Sequence, residues 1–431
     1  MNIKLDINNN KLYFEHNDKY KTITIGMLLF SPFVKEHLSE RSLIASLIAK
    51  SNEKFPKEQD FNKYCQELYD LGIVSRVSRV GRTAVWSFSV NIVNPKYLDN
   101  DLSLFSKAMD VLYNCICNPL FTEEKVDKEK RLFIEELEHI YNNKSQYAVQ
   151  RFIKHMFEGE LIGINSTGEI EETKKVTCDS IINEYKRLIK FPKIFYVIGD
   201  LNQNDVVESF KYYNFPISES SVYDMELLDK ETKEILNVKE IIESQEISQS
   251  ILCMGYRTDI LLDNDGYTAM SLFNGMLGQY FHSTLFQVIR EEKGLAYYVG
   301  SDYNGRKGNL AITAAISSSS YDEVVKLIKD IIDDYQNGRF DDNILELTKK
   351  QVISYLKKQE DAPSTIIPTL YSEIAGLKVL TLEEKINIIC SITKEDIVNA
   401  SKKLKLDTIY FLKGCLSRMC TRVSEKQEKA G

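Results

Sequence analysis

An internal repeat constrains the fold of this chain more than any other feature of its sequence. Residues 118–121 (Asn-Pro-Leu-Phe), followed by an acidic run and a long helical pattern, recur 219 positions later as Asn-Gly-Arg-Phe at 337–340. The preceding helix repeats at the same offset. Its apolar residues at i, i+4 and i+7 are Phe105, Met109 and Leu112 in the first copy and Val324, Ile328 and Ile331 in the second. A matching apolar helix face in each copy indicates two related domains.

Period-two alternation predicts a strand in each half. The alternating apolar residues are Ala84, Trp86, Phe88, Val90 and Ile92 in the first half and Leu310, Ile312, Ala314 and Ile316 in the second. Two more strands, expected to pair with each other, are predicted between residues 11 and 29. Strands interleaved with helices predict an α+β fold of two homologous domains, each a mostly antiparallel sheet covered by helices. We place the domains at 1–217 and 244–431, with a polar, charged linker at 218–243.

The composition excludes several classes of partner. A net charge of −8 and a pI of about 5.5 argue against nucleic acid, because binding to a phosphate backbone requires clustered Lys and Arg. The N-terminus has no apolar signal core, and no run of 18 apolar residues predicts a membrane span. We therefore expect a cytoplasmic protein without membrane contact, whose eight cysteines are reduced thiols.

The best-defined motif lies in the second half of the chain. A loop containing Gly275 and Gly278 leads to a helix that ends in Arg290-Glu-Glu-Lys, and Gly-Leu-Ala-Tyr297 follows directly. This order of residues resembles the C-terminal domain of the pitrilysin/insulinase zinc metallopeptidases, in their processing-peptidase branch. The resemblance implies a metallopeptidase processing-peptidase-like fold for nearly the whole chain.

In that family, the residues corresponding to Arg290 and Tyr297 reach across a closed chamber to the substrate. A peptide held as an added strand presents carbonyl oxygens, and an oxyanion beside zinc needs hydrogen-bond donors besides the metal. Guanidinium and phenol groups are suitable donors. The alternative is that Arg290 ends a solvated helix and that Tyr297 only packs on a strand. The aligned segment of the first half, residues 66–72, has no Arg, so the repeated fold does not itself require one.

The same family carries an H-x-x-E-H zinc motif on an early helix, and a later Glu completes the metal site. The aligned positions here are Ser42, Ala45 and Ser46, so both His and the catalytic Glu are absent. No two of the five histidines are spaced i, i+3 or i, i+4 to replace them. Glu129 and Glu136 keep the spacing of the later helix, with Glu136 at the third-ligand position. Without imidazoles they are expected to form ordinary helix-surface charge, and no metal is expected in this chain.

The resemblance thus implies the zinc-less subunit of a heterodimeric metallopeptidase. Arg290 and Tyr297 would act in trans on a peptide, while an H-x-x-E-H partner subunit holds the zinc. Similar bacterial subunits are associated with modification of elongation factor P or with maturation of ribosomally made peptides. Two alternatives are a structural scaffold subunit and a homodimeric chamber that captures peptides without cutting them.

Overall fold

The structure is a computed structural model that describes residues 2–7, 10–98, 103–219, 226–231, 233–360 and 362–415. Its strands are β1 (Asn2–Ile7), β2 (Asn10–His16), β3 (Thr22–Pro32), β4 (Gly72–Val80), β5 (Thr83–Val93), β6 (Lys193–Gly199), β7 (Lys239–Gln245), β8 (Ser250–Arg257), β9 (Ala296–Asn304), β10 (Asn309–Ile316) and β11 (Lys405–Gly414). They form two sheets, β1-β2-β6-β3-β5-β4 and β7-β11-β8-β10-β9. Both are antiparallel except for the pairs β2–β6 and β7–β11, so the mostly antiparallel α+β prediction is confirmed.

The α-helices cover these sheets. They are α1 (Leu38–Ile48), α2 (Glu58–Glu67), α3 (Ser103–Cys117), α4 (Glu123–Asn142), α5 (Lys144–Met156), α6 (Ile170–Lys175), α7 (Cys178–Leu188), α8 (Gln203–Tyr212), α9 (Tyr267–Asn274), α10 (Tyr321–Gln336), α11 (Asp342–Gln359), α12 (Ile366–Ile374), α13 (Leu382–Ser391) and α14 (Lys394–Lys402). Two further helices are π-helical: the first π-helix is Gly275–Gln279 and the second is Phe286–Glu292. Within the described residues, no helix is long and apolar enough to cross a membrane.

The repeat is visible in local structure as well as in topology. The predicted apolar faces of α3 and α10 are buried in the cores of their respective sheets. Helices α7 and α14 both begin with a capping box, at Thr177 and Thr393, in which the Thr side chain accepts from a backbone N–H three residues on. Each helix then leads to an interior strand of its sheet, β6 or β11. The two halves are therefore built from the same sequence of local signals.

The chain divides into two compact units, and each includes a short segment from the other half of the sequence. Unit 1 comprises 1–138, 165–227 and 360–376, and unit 2 comprises 139–164, 228–359 and 377–431. In unit 2, α5 packs on β8 and β11, where Phe152 and Met156 join a core that contains Tyr410. In unit 1, the Tyr20 hydroxyl donates to the Glu360 carbonyl at 3.2 Å. The predicted linker 218–243 includes 220–225 and 232, which lie outside the described residues, so that boundary stays a prediction.

Two expectations are corrected. Strands β2 and β3 do not pair with each other, because β6 lies between them and is parallel to β2 and antiparallel to β3. The expected thiol at Cys415 is also wrong, since this residue is disulfide-bonded. Six other cysteines are free, as expected: Cys65, Cys115, Cys117, Cys178, Cys253 and Cys390. The remaining cysteine, Cys420, lies outside the described residues.

Candidate functional site

Arg290 lies in the last turn of the second π-helix. Its guanidinium carbon is 4.8 Å from the centre of the Phe286 ring, and its Nε is 3.6 Å from Glu291 Oε1. The second distance is too long for a hydrogen bond. With the side chain 39% exposed, the guanidinium N–H groups can reach a ligand. Both the stacking on Phe286 and the weak ion pair leave this donor capacity open.

A turn at Gly294 joins this helix to strand β9. Gly294 has a φ of 62°, the left-handed conformation that glycine adopts without steric cost. Its N–H donates to the Arg290 carbonyl at 3.2 Å, and the Leu295 N–H donates to the Ile289 carbonyl at 2.9 Å. These bonds end the helix, so β9 begins only a few residues after Arg290.

Tyr297 is the extra residue of a β-bulge. In the pairing of β9 with β10, Ala315 faces Tyr298 and Ile316 faces Ala296, which leaves Tyr297 without a partner residue. A bulge locally breaks the alternation of a strand and re-aims side chains. Tyr297 is 77% exposed and the adjacent Tyr298 is 54% exposed. Because β9 is the edge strand of its sheet, both phenols stand at an open edge.

Gly275 and Gly278 lie in the first π-helix, and the structure shows what they contribute to packing. A Cβ on Gly278 would lie 2.7 Å from the backbone nitrogen of Ser301, on β9. A Cβ on Gly275 would lie 2.8 Å from Thr348 Cγ2 and 2.9 Å from the Tyr280 ring. Any side chain at either position would push this helix away from β9 or α11.

Tyr335, which the sequence reasoning missed, ties the loop between the π-helices to the first of them. Its buried hydroxyl donates to the Met276 carbonyl at 3.2 Å and lies 2.7 Å from Thr284 Oγ1. π-Helices are rare and are frequently found at functional sites. Apolar periodicity marks Tyr335 only as a core residue of α10, and no sequence signal distinguishes a π-helix from an α-helix, so neither feature could be foreseen.

In unit 1, helix α1 carries the three positions that align with the zinc motif. The Ser42 hydroxyl donates to the Thr167 carbonyl at 2.9 Å, and Ala45 is buried. The Ser46 hydroxyl donates to Glu129 on α4. The structure therefore brings Ser46 and Glu129 together. The expectation of helix-surface charge is wrong for Glu129, which is buried, whereas Glu136, two turns further along α4, is exposed.

A lysine forms an ion pair with the carboxylate of this cluster. Lys50 Nζ lies 2.8 and 2.7 Å from the two Glu129 oxygens. The buried carboxylate is thus neutralised by an ammonium and hydrogen-bonded by a hydroxyl. Zinc needs imidazole, thiolate or free carboxylate donors, and these residues do not fit it. Lys50 lies in the turn directly after α1 and four residues after Ser46; this spacing, which places residues on one face of a continuing helix, is the signal that could have revealed it.

One group of potential metal ligands was not foreseen. His37, Glu40 and Glu184 place one donor atom each within 4.8 Å of one another. However, Glu184 already pairs with Arg41 and Arg187, each at 2.7 Å. Because two guanidinium groups compensate its charge, a cation at this place would be repelled by both arginines. We interpret the group as an ion-pair network that joins α1 to α7.

Comparison with known proteins agrees with this description. The profile of the "Peptidase M16 inactive domain" matches residues 194–352. The probable inactive metalloprotease YmfF of Bacillus subtilis is 28% identical over 403 residues, which are 92% of this chain and 94% of that protein. A conserved protein from Enterococcus faecalis has a similar crystal structure, with a TM-score of 0.88 at 26% identity over 96% of this chain and 99% of that one.

A peptidase M16 inactive domain from Pseudomonas fluorescens shares the fold at 15% identity, with a TM-score of 0.77 over 96% of this chain and 98% of its own. The family resemblance recognised from the segment around Arg290 and Tyr297 is confirmed by the matched profile and by the relative from Bacillus subtilis. The chain is similar to the M16 peptidases, the insulinase-like metallopeptidase family, and it lacks their H-x-x-E-H zinc-binding motif.

Proposed function

We propose that this chain is the non-catalytic subunit of a heterodimeric zinc metallopeptidase of the cytoplasm. It supplies Arg290 and Tyr297 in trans to an H-x-x-E-H partner subunit, which cleaves peptides or unfolded segments. The observation that carries the proposal is the contrast within one chain. The metal-motif positions hold Ser42, Ala45 and Ser46 beside a Glu129 paired with Lys50, whereas Arg290 and Tyr297 are both presented to solvent.

The chemistry assigned to the pair follows from the donors they offer. When a peptide carbonyl is attacked, negative charge develops on its oxygen, and preorganised N–H and O–H donors stabilise that charge. Arg290 offers guanidinium N–H groups whose own ion pair is long, and Tyr297 offers an exposed phenol at a strand edge. Activation of the attacking water belongs to the partner's zinc. This chain orients the substrate and stabilises the oxyanion.

The test is reconstitution with a purified M16 partner that carries H-x-x-E-H. Alone, the chain is expected to retain no stoichiometric zinc and to cleave no fluorogenic peptide; with the partner, zinc-dependent cleavage appears. Arg290→Ala should lower kcat/KM by about 10²–10³, the effect typical of losing one oxyanion donor. Tyr297→Phe should also lower kcat/KM, without dissociating the complex.

The chain itself offers matched controls. Lys293→Ala removes an exposed cation from the same helix end, and Tyr298→Phe removes the exposed phenol next to Tyr297. Both should leave cleavage within about twofold, since both side chains are exposed and the ion pair of Lys293 with Glu323 is a long surface contact of 4.0 Å. Zinc-dependent cleavage by the isolated chain, or full activity of Arg290→Ala in the complex, contradicts the proposal. Binding of the partner without any gain in cleavage would favour the scaffold alternative.

A further inference from the structure

Helix α5 covers one face of the sheet of unit 2 through an apolar core. It packs on β8 and β11. Its residues Phe152 and Met156 share this core with Cys253 of β8 and Leu412 of β11, and all four side chains are buried. Because Cys253 has no exposed surface, a reagent reaches its thiol only when α5 opens.

A polar row on α5 faces the edge strand β7. Its members, Tyr147, Arg151 and His155, recur every four residues and therefore share one face of the helix. The Tyr147 hydroxyl donates to Glu243 Oε1 at 2.5 Å, and Arg151 Nε donates to Glu243 Oε2 at 3.2 Å. Lys239 Nζ donates to the His155 carbonyl at 3.2 Å. The row thus connects α5 to β7 along the length of the helix.

The imidazole of His155 lies at the end of this row, in a place that suits only its neutral form. The ring stacks on Tyr410 of β11, with centroids 6.0 Å apart and 22° between the planes. Its Nε2 is buried and has no hydrogen-bond partner among the described residues. A neutral ring tolerates this position because one of its nitrogens carries no proton. An imidazolium would bury an N–H donor without an acceptor, which is unfavourable.

The charges around His155 do not compensate an imidazolium. Arg151, one turn before it, and Lys239 on β7 are both cations. Of the two nearby carboxylates, Glu158 is largely exposed and lies 3.5 Å from Lys239. The other, Glu243, already accepts four hydrogen bonds. The C-terminal end of α5 favours a cation weakly, but it supplies no acceptor to Nε2.

The titration of His155 agrees with this geometry. Burial, and then the charge of Arg151, lower the pKa of the imidazole from its ordinary value of 6.5. The other titratable side chains of the contact stay neutral in this range, since burial raises the pKa of Tyr410 and raises those of Tyr147 and Cys253 to about 12. Because the folded pKa is below the unfolded one, the packing of α5 is fully stable above about pH 6.5, and this stability is lost as the pH falls from there through the folded value.

We propose that His155 makes the packing of α5 acid-sensitive: when its ring is protonated, the stack on Tyr410 is lost and α5 opens locally from β8 and β11. The opening concerns unit 2 alone and does not depend on the proposed peptidase role. Mild acid is then a signal that exposes the face of the sheet under α5 without general unfolding.

The experiment measures how fast the thiol of Cys253 reacts in the full chain. Dithiodipyridine, which reacts with thiols at acid pH, is applied between about pH 7.5 and pH 5.5, the range in which histidine titrates, and each cysteine is followed by peptide mass spectrometry. The rate at Cys253, divided by that at the exposed Cys390, should rise about fivefold over this range, as expected for a local opening linked to one proton. Cys115, which is fully buried in unit 1, should stay protected.

Two variants of His155 test its role. His155→Gln and His155→Phe should each abolish the acid response, since neither new side chain takes up a proton, and the Phe variant keeps an aromatic ring beside Tyr410. The matched control is His139→Gln, which removes an exposed histidine of α4 and should keep the response. A Cys253 rate that does not rise in acid, or that rises equally in both His155 variants, overturns the proposal. Labelling of Cys115 in parallel with Cys253 overturns it as well, because the acid effect would then be general unfolding.

Discussion

The same turn occurs in both units, at the place where a helix leads into the edge strand of the sheet. Two backbone hydrogen bonds close it in each case. They run from Asp70 to Gln66 (3.3 Å) and Leu71 to Cys65 (3.0 Å) in unit 1, and from Gly294 to Arg290 (3.2 Å) and Leu295 to Ile289 (2.9 Å) in unit 2. Gln66 thus stands where unit 2 has Arg290. The turn forms equally well with either residue, so the arginine is not a requirement of the fold.

The elements around the two turns differ in regularity. In unit 1 the helix is the α-helix α2, and β4 pairs with β5 without a register shift. In unit 2 the corresponding helix is π-helical, and β9 is bulged at Tyr297. π-Helical segments are frequent at functional sites, and β-bulges are over-represented at sheet edges and next to active sites. The departure from ideal geometry in the half with Arg290 and Tyr297 supports the view that this half contacts the ligand.

The largest expected effect is on zinc affinity. Restoring metal ligands to unit 1 tests how far this half has diverged from a zinc-binding domain. Ser42→His with Ser46→His should still bind zinc poorly, because Lys50 keeps its charge on Glu129. Adding Lys50→Leu should raise zinc affinity by about a hundredfold or more, since it removes a cation about 4 Å from the incoming metal. Competition with a chromophoric chelator measures this. Equal affinity with and without Lys50 would show that the lysine is no obstacle.

Removing a buried carboxylate should destabilise unit 2 strongly. Glu160 is buried and pairs with Arg257 at 2.6 Å and Lys307 at 2.7 Å. Glu160→Ala leaves the buried Lys307 and the partly buried Arg257 without this partner, so the free energy of unfolding should fall by about 3 kcal/mol. Urea denaturation followed by circular dichroism measures it. The control Glu158→Ala removes an exposed carboxylate and should change stability by less than about 0.5 kcal/mol; equal effects would refute the role of the network.

Acid should weaken unit 2 through the same group. Burial alone would raise the pKa of Glu160, but hydrogen bonds from Arg257 and Lys307 hold it below its ordinary value of 4.5. Since the folded pKa is below the unfolded one, the carboxylate stabilises the fold above the ordinary pKa, and this stability is lost as the pH falls through the folded value. Thermal melts between about pH 6 and pH 3 should show it. Glu160→Gln should flatten that dependence, and an unchanged slope would contradict the assignment.

The smallest expected effect is on stability, when the turn between the helix and the edge strand is altered in either unit. Asp70 has a φ of 56°, where unit 2 uses Gly294 at 62°. Asp70→Gly should relieve strain and stabilise unit 1 by about 0.5–1 kcal/mol. Gly294→Ala should destabilise unit 2 by a similar amount, and this loss isolates the backbone effect because an added Cβ there meets nothing within 4 Å. Thermal unfolding of both variants provides the measurement, and destabilisation by Asp70→Gly would refute the strain argument.

Local signals predicted much of this fold. The alternating strands β5 and β10 and the apolar faces of α3 and α10 all follow from patterns within a few residues. The position of β6 between β2 and β3 could not be predicted, because parallel pairing with β2 joins segments far apart in sequence. The motif around Arg290 could also be recognised from the sequence, but its geometry could not be predicted. The bulge at Tyr297 depends on pairing with β10, and the pairing of Lys50 with Glu129 depends on how α4 packs.

The exchange of segments between the two units has a consequence for synthesis. Helix α12 belongs to unit 1, yet it is translated after strands β7 to β10 of unit 2. Unit 1 therefore cannot be completed while only the first half of the chain has left the ribosome. In the same interval, α5 has emerged before the sheet of unit 2 on which it packs. Domains usually fold as units from the N-terminus onward. Here each unit needs a segment from the other half of the chain, so a chain cut between the halves would leave both units incomplete.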